Sequence, residues 1–486
     1  MELKDYLYKH FGYRNFREGQ EDVIKAILSK KNVITQLPTG TGKSICFQLP
    51  GYLMEGLILI ISPLLSLMED QVQQLLIKGE KRVAAYNSFR NHSEKRKILN
   101  NLESLKFLYV SPEVLQSELL IEKLKSVSIA LIAVDESHCI SQWGHDFRTD
   151  YLRLGPVIKE LKNPPVLALT ATANKNVIQD ITNKLELKSY ETFINTVNRN
   201  NILLFNETFD TKQQKNVRLL QIVGRTDGPI LIYCMSRDTT KNLYEFLRVN
   251  NISECAYYHG GLDTETRILI QQQFMNNQIR VMCCTSAFGM GINKENVRLV
   301  IHYHIPSQIE SYVQEIGRAG RDGNLSFSIT LTQPNDFNLP FQILENEYPT
   351  IEEISGIINN LLYKKNTESF SEVHVRVIKY YLENERENFS NINEKDVDFI
   401  TKAIYNKIKT RINYKINKIN QMSNYITSKQ CRRVEILEAF DEQLITTQHP
   451  CCDNCGCKLD DYFSSANLNV KFKNVDWKEE LRLRLF

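Results

Sequence analysis

Short apolar runs that do not alternate with polar residues place the strongest constraint on this chain. Asn32–Gln36, Leu57–Ile61, Phe107–Val110, Ile129–Val134 and Val166–Leu169 form one series, and Ile230–Tyr233, Arg280–Cys284, Leu299–His302 and Ser326–Leu331 form a second. Each is rich in Val, Ile, Leu or Phe, and amphipathic segments separate them. A strand that is apolar on both sides must be covered on both faces, so the pattern predicts α/β architecture with parallel sheets buried between helices. The polar, turn-like stretch Asn195–Asn201 separates the series. The expected organisation is two tandem parallel-sheet lobes, residues 1–204 and 205–345, then a mostly helical, basic region, 346–462, and a tail, 463–486.

Composition removes several alternatives. With 42% hydrophobic and 24% charged residues, the chain is neither a disordered nor a fibrous sequence. The net charge of +3 does not by itself announce a nucleic-acid partner, so local clusters must carry that signal. The first twenty or so residues are too polar for a secretory signal, and no apolar run approaches the roughly 18 residues of a membrane span. The expected location is cytoplasmic, or nucleoid-associated in a bacterium. Of 11 cysteines, Cys431, Cys451, Cys452, Cys455 and Cys457 fall late in the chain, where a metal site is a better reading than a disulfide framework.

Phosphate chemistry is written into the first series. Leu37-Pro38-Thr39-Gly40-Thr41-Gly42-Lys43-Ser44 follows a strand and precedes a helical pattern. Glycines there let backbone N–H groups wrap phosphates, Lys43 reaches the terminal phosphates, and the Ser44 hydroxyl is placed to ligate Mg²⁺. The long form of the motif fails at Leu37, while T-G-x-G-K-[ST] fits in full. The apolar run Ile129–Val134 ends in Asp135-Glu136-Ser137-His138. Carboxylates at a strand's C-terminal edge sit where open α/β sheets bind ligands: Asp135 to hold Mg²⁺, Glu136 to orient and deprotonate the attacking water. In the second half, Gln314-Glu315-Ile316-Gly317-Arg318-Ala319-Gly320-Arg321 offers two arginines three apart, on one face if helical. Alone these would read as surface arginines in a Gly-rich loop. Beside a phosphate loop and an acidic strand end, they become candidates for stabilising charge on a transferred phosphate.

Together these elements resemble superfamily 2 helicases with two RecA-like lobes, and further stretches are similar to the RecQ family. Phe11-Gly12-Tyr13 with Phe16-Arg17 and Gln20 resembles its adenine-recognition motif, which implies that Tyr13 stacks on the base while Arg17 and Gln20 read or clamp the nucleotide. Cys139-Ile140-Ser141-Gln142-Trp143-Gly144-His145-Asp146-Phe147-Arg148 is similar to its aromatic-rich loop, which implies that Trp143, His145, Phe147 and Arg148, with His138, couple strand binding to hydrolysis. Aromatics in such a loop can stack on single-stranded bases without sequence preference. Ser62–Leu67 with Asp70-Gln71, Thr170-Ala171-Thr172-Ala173, Tyr233–Arg237 (including Ser236) and Thr285–Lys294 complete the likeness. The resemblance implies that such segments line the interlobe cleft and the strand-binding face. One departure is Ser137, where the family usually carries Ala. The resemblance implies an ATP-dependent DNA helicase of recombination and repair. It would use ATP and Mg²⁺, move 3′ to 5′ on single-stranded DNA and open partial duplexes, with a single-strand-binding protein as a further partner.

The last third is basic. Thr401–Arg433 carries Lys402, Lys407, Lys409, Arg411, Lys415, Lys418, Lys429, Arg432 and Arg433 without an acid, and Ile404, Ile408, Ile412, Ile416 and Ile419 recur at helical spacing. One helix with an apolar stripe and a basic remainder is expected, suited to a phosphate backbone. Cys431, followed by Cys452-Asp453-Asn454-Cys455, resembles the RecQ zinc subdomain, with Cys457 favoured as fourth ligand over Cys451. About thirty residues follow the cysteines, too few for the winged-helix and C-terminal helicase-associated domains of longer relatives, so a short form is expected. About 110 residues separate Arg321 from Cys431, which points to an inserted helical module within Pro349–Asn406. The rivals are an RNA helicase of the same superfamily, opposed by the loop and the cysteines, and a non-catalytic strand-binding scaffold, opposed by Lys43, Asp135, Glu136 and Arg321.

Overall fold

A computed structural model describes residues 2–38, 40–63, 65–88, 90–141, 148–289, 294–363, 365–384, 397–444 and 450–465. The first sheet has seven strands: β1 (Val33–Gln36), β2 (Leu57–Ile61), β3 (Val83–Tyr86), β4 (Phe107–Val110), β5 (Ile129–Val134), β6 (Val166–Thr170) and β7 (Glu191–Ile194). Their order is β3-β4-β2-β5-β6-β1-β7, all pairs parallel. The apolar runs split between two core layers because successive side chains point to opposite faces. Leu57, Leu59, Ile61, Ile132 and Val134 enter one layer, while Ile58, Ile60, Leu131 and Ala133 enter the other.

The second sheet holds β8 (Ile202–Thr208), β9 (Ile230–Tyr233), β10 (Cys255–Tyr258), β11 (Val281–Cys284), β12 (Leu299–His302) and β13 (Ser326–Thr332). Its order is β10-β11-β9-β12-β13-β8, again parallel throughout. The strand Ile202–Thr208 pairs with β13, so the seam between the sheets falls before it and not at residue 205. Both sheets are α/β layers of the RecA-like kind.

Among the described residues, those up to Asn198, Ile305–Gly317 and 334–444 form one compact unit, and Arg199–His304, Arg318–Gln333 and 450–465 the other. The helical region after the second sheet therefore belongs to the first unit as far as residue 444. Helix Val397–Thr427 explains this: Lys418 pairs with Glu310 and Tyr425 packs on Tyr312, both on helix Ile309–Ile316. The region also has its own core, in which Ile354, Ile357 and Ile358 meet Ile378, Ile400, Ile404 and Ile408.

The basic stretch is not one helix to Arg433. It ends at Thr427, where Ser428 turns its hydroxyl to Glu435 and accepts from the Gln430 N–H, and a second helix runs Arg432–Ala439. A serine side chain that satisfies local partners competes with continued helix. Arg432 and Arg433 are buried, so the basic face is shorter than the sequence suggests. None of the described helices is long and apolar enough to cross a membrane.

Candidate functional site

Parallel strands deliver their C-terminal ends to one edge of the first sheet, and there β1, β5 and β6 bring the candidate residues together. After β1, the Leu37 N–H donates to Thr170 O at 3.0 Å, tying the phosphate loop to the end of β6. Gly40 and Gly42 hold φ of 84° and 76°, a left-handed backbone that glycine adopts without steric cost. Thr41 Oγ1 donates to Pro38 O at 2.7 Å, and Ser44 stands at the start of helix Ile45–Leu53. Thr39 lies outside the described residues.

Gln20 Nε2 donates to Thr41 O (2.7 Å) and Gly42 O (3.1 Å), the Arg17 guanidinium donates to Gly40 O, and the Arg17 N–H returns to Gln20 Oε1 at 2.9 Å. Here both side chains brace the loop backbone. Tyr13 is 49% exposed and open to stack on a planar ligand.

After β5 come Asp135 and Glu136. Glu136 has φ 47° and ψ 46°, costly for a residue with a Cβ and the kind of strain that collects at functional sites. Its Oε1 lies 3.5 Å from Lys43 Nζ, and its Oε2 3.4 Å from His138 Nδ1. Lys43 Nζ is buried and has no hydrogen-bond partner among the described residues. A buried ammonium that is ion-paired but not hydrogen-bonded leaves its N–H donors unmet, and phosphate oxygens would satisfy them.

His138 Nδ1 also lies 3.1 Å from Thr170 Oγ1. The Thr170 hydroxyl gives its hydrogen to Thr172 O at 2.9 Å, which makes Nδ1 the donor to it. A continuous polar path thus runs from Glu136 through His138 to Thr170 and Thr172. Tyr151 OH donates to Asp135 O at 3.0 Å. Burial, then the neighbouring Glu136, push the Asp135 carboxyl up to about 6, against the pull of Lys43. That is a buried acid in want of a cation, which fits a divalent ion held by Asp135 and Ser44.

Of the strand-binding candidates, Trp143, His145 and Phe147 lie outside the described residues. Arg148 donates to Pro63 O at 2.8 Å, linking the loop's last residue to the Ser62–Leu67 segment. In the second unit, Ser236 accepts from the Thr239 N–H at 3.1 Å and caps helix Arg237–Val249. Gln314 is buried on helix Ile309–Ile316. That helix stops at Gly317, so Arg318 and Arg321 occupy a turn and share no helical face. Gly320, at φ 55°, shapes the turn, and buried Arg318 donates to Gly289 O.

Three residues whose roles the sequence did not announce tie down the stretch 195–201 and link it to the arginine-bearing turn. Arg433 donates to Asn198 Oδ1 at 2.6 Å, and Glu442 accepts from the Thr196 hydroxyl and from the Val197 N–H at 3.0 Å. Arg199 donates to Ala319 O (3.0 Å) and Gly320 O (2.7 Å), which fixes the arginine-bearing turn. The polarity of the stretch was the available signal, but nothing in it named the partners.

The sulfurs of Cys431, Cys451, Cys452 and Cys455 lie within 4.8 Å of one another, with Cys452 and Cys455 3.4 Å apart. Tetrahedral zinc with Zn–S of about 2.3 Å needs sulfurs about 3.8 Å apart, so the set fits. This corrects the expected fourth ligand. Cys451 joins the cluster, whereas Cys457 packs with Leu459 in the core of the second sheet, its sulfur accepting from Tyr462 OH at 3.8 Å.

Three families match: DEAD/DEAH box helicase over residues 17–181, the helicase conserved C-terminal domain over 211–323, and RecQ zinc-binding over 394–456. The probable ATP-dependent DNA helicase RecS of Bacillus subtilis is 45% identical over 100% of this chain and 98% of its own. The ATP-dependent DNA helicase RecQ of Pasteurella multocida is 42% identical over 70% of this chain and 54% of its own. Among solved structures, Mycobacterium smegmatis helicase Lhr bound to ssDNA and AMP-PNP has a TM-score of 0.57 at 20% identity, covering 71% of this chain and 50% of that one. The DEAD-box helicase Mss116 bound to ssRNA and UDP-BeF gives 0.58 at 15% identity, over 86% and 90%. At such identities the structures show the fold alone.

Proposed function

This chain belongs to the RecQ family of ATP-dependent DNA helicases, and from that premise we propose that it moves 3′ to 5′ on single-stranded DNA, opens partial duplexes and serves recombination and repair. The observation that supports this reading best is the buried Lys43 ammonium, ion-paired with Glu136 after β5 yet without a hydrogen-bond partner among the described residues. In this reading, Lys43 and the loop N–H groups bind the phosphates, and Tyr13 stacks on the base above the loop that Arg17 and Gln20 brace. Glu136 orients the attacking water and takes its proton. Ser44 and Asp135 hold Mg²⁺, which when bound neutralises charge on the phosphate oxygens. Gln314, Arg318 and Arg321 act on the charge of the transferred phosphate.

His138, Thr170 and Thr172 connect Glu136 to the strand-binding segments, where Trp143, His145, Phe147, Arg148, Ser236 and Arg237 act. Aromatic stacking at Trp143 would make hydrolysis depend on an ordered loop. The four-cysteine zinc site stabilises the fold around helix Arg432–Ala439. A single-strand-binding protein and a nucleoid-associated location belong to the same proposal. Steady-state ATP hydrolysis with single-stranded DNA, RNA or no polymer tests it: DNA should stimulate most. Equal rates in all three would refute the coupling, and stimulation by RNA alone would favour the rival enzyme.

A further inference from the structure

The helical region contributes a pocket that the ATP and zinc sites do not use. Helices Glu372–Asn384 and Val397–Thr427, with Tyr348, close about 320 Å³ against Arg148 and Asp150. That is the lower end of the range for small-ligand sites, large enough for one nucleotide rather than a peptide or a second strand. Its walls combine Tyr348, Tyr380 and Tyr381 with Arg148, Arg376 and Arg411.

Among the described residues only one of its three carboxylates, Glu347, is ion-paired, so Glu113 and Asp150 stand against the three arginines and one positive charge is in surplus. Glu347 pairs with Lys415, and Asp150 accepts from Gln116 Nε2 at 2.6 Å. The arginines differ. Arg411 Nε donates to Tyr348 OH at 2.8 Å, holding the guanidinium against a tyrosine, while Arg376 makes no hydrogen bond or ion pair among the described residues. The balance left facing the pocket is cationic and aromatic, the combination that receives a phosphate and a base. Arg148, the last residue of the aromatic-rich loop, also donates to Pro63 O and so ties the pocket to the Ser62–Leu67 segment.

We propose that this pocket binds one nucleotide unit of a single strand, its phosphate on Arg376 and Arg411 and its base on Tyr380. The proposal gives the helical region between the second sheet and the cysteines a role in holding the strand. It rests on the reading of the chain as a strand-binding enzyme.

The test is fluorescence anisotropy of the full chain with a labelled oligo-dT across a salt series, beside equilibrium dialysis of dTMP. Arg376→Ala should flatten the slope of log affinity against log salt by about 0.7, the value for one phosphate contact on a single strand. Tyr380→Ala should weaken binding on the order of 5- to 150-fold, and Tyr380→Phe should restore it, since stacking needs only the ring. Thermal melts identify any variant that fails to fold, and Arg376→Ala, at an exposed position, is the control for that. Dialysis that retains dTMP in the wild type but not in Arg376→Ala would show that free nucleotide also enters. Retention of oligo-dT alone would assign the pocket to a strand. Wild-type affinity and salt slope in both folded variants, with no Arg376-dependent dTMP binding, would overturn the proposal and leave a packing seam. If the wild type binds no oligo-dT at all, the strand-binding reading fails, and the pocket is judged on the dTMP arm.

Discussion

Lys43 Nζ stands 3.5 Å from Glu136 Oε1, and the two come from opposite kinds of backbone. Lys43 follows a glycine-rich loop that turns freely. Glu136 holds a left-handed conformation that its own Cβ disfavours. The pair sets an ammonium beside a carboxylate at the C-terminal edge of one sheet.

In the proposed site, Lys43→Ala would remove a phosphate contact and Glu136→Gln the proton acceptor. Each should lower kcat for ATP on the order of 10²–10³-fold or more, the scale of losing one preorganised group. Glu136→Gln should still bind a fluorescent ATP analogue, because no phosphate ligand is lost. Normal turnover in either variant refutes the assignment.

The path from Glu136 through His138 to Thr170 predicts a different outcome. Thr170→Val keeps the shape but leaves the His138 Nδ1–H without that acceptor, at a cost of about 1–3 kcal/mol. The DNA-stimulated rate should fall more than the rate without DNA. A ratio of the two rates equal to wild type would show that the path carries no coupling.

Asp70 provides a pH test. Burial pushes its carboxyl up to about 6, with Gln74 pulling the other way through a 2.7 Å hydrogen bond. An acid whose folded value lies above its unfolded one costs nothing while protonated in both states. The cost appears as pH rises from about 4 to about 6 and is complete above that. Asp70→Asn should therefore melt with wild type near pH 4 and be more stable above pH 6, on the order of 1–2 kcal/mol after allowing for its partial exposure. Equal melting curves at pH 7 would contradict the burial cost.

For zinc, Cys451→Ala should lose most of the metal and destabilise the protein, because metal binding is coupled to folding. Cys457→Ala should keep the metal and lose only packing. Elemental analysis beside thermal melts decides, and the opposite pattern would restore Cys457 as the ligand.

The strands that were legible in the sequence are the inner ones, fully covered and therefore continuously apolar. The four that escaped, β3, β7, β8 and β10, are the four sheet edges. In β7 the side chains alternate between half-buried and exposed, so Glu191–Ile194 carries no apolar run. Ile202–Phe205 of β8 is buried but abuts the polar stretch, which hid it at the seam. Lys43, Asp135 and Glu136 were legible because their chemistry is tied to spacing and to strand ends. The cysteine set was not, since Cys451 and Cys457 both lie close to Cys452 and Cys455 in sequence, and only packing against Leu459 removes Cys457. The turn that holds Arg318 depends on Arg199, more than a hundred residues away, and no local pattern could announce that.

Strand displacement on duplexes with either a 3′ or a 5′ single-stranded tail tests the central claim most directly. With ATP, the wild type should unwind the 3′-tailed duplex and leave the 5′-tailed one largely intact, and Glu136→Gln should unwind neither. Unwinding without ATP, unwinding by Glu136→Gln, or a preference for the 5′ tail would contradict the account.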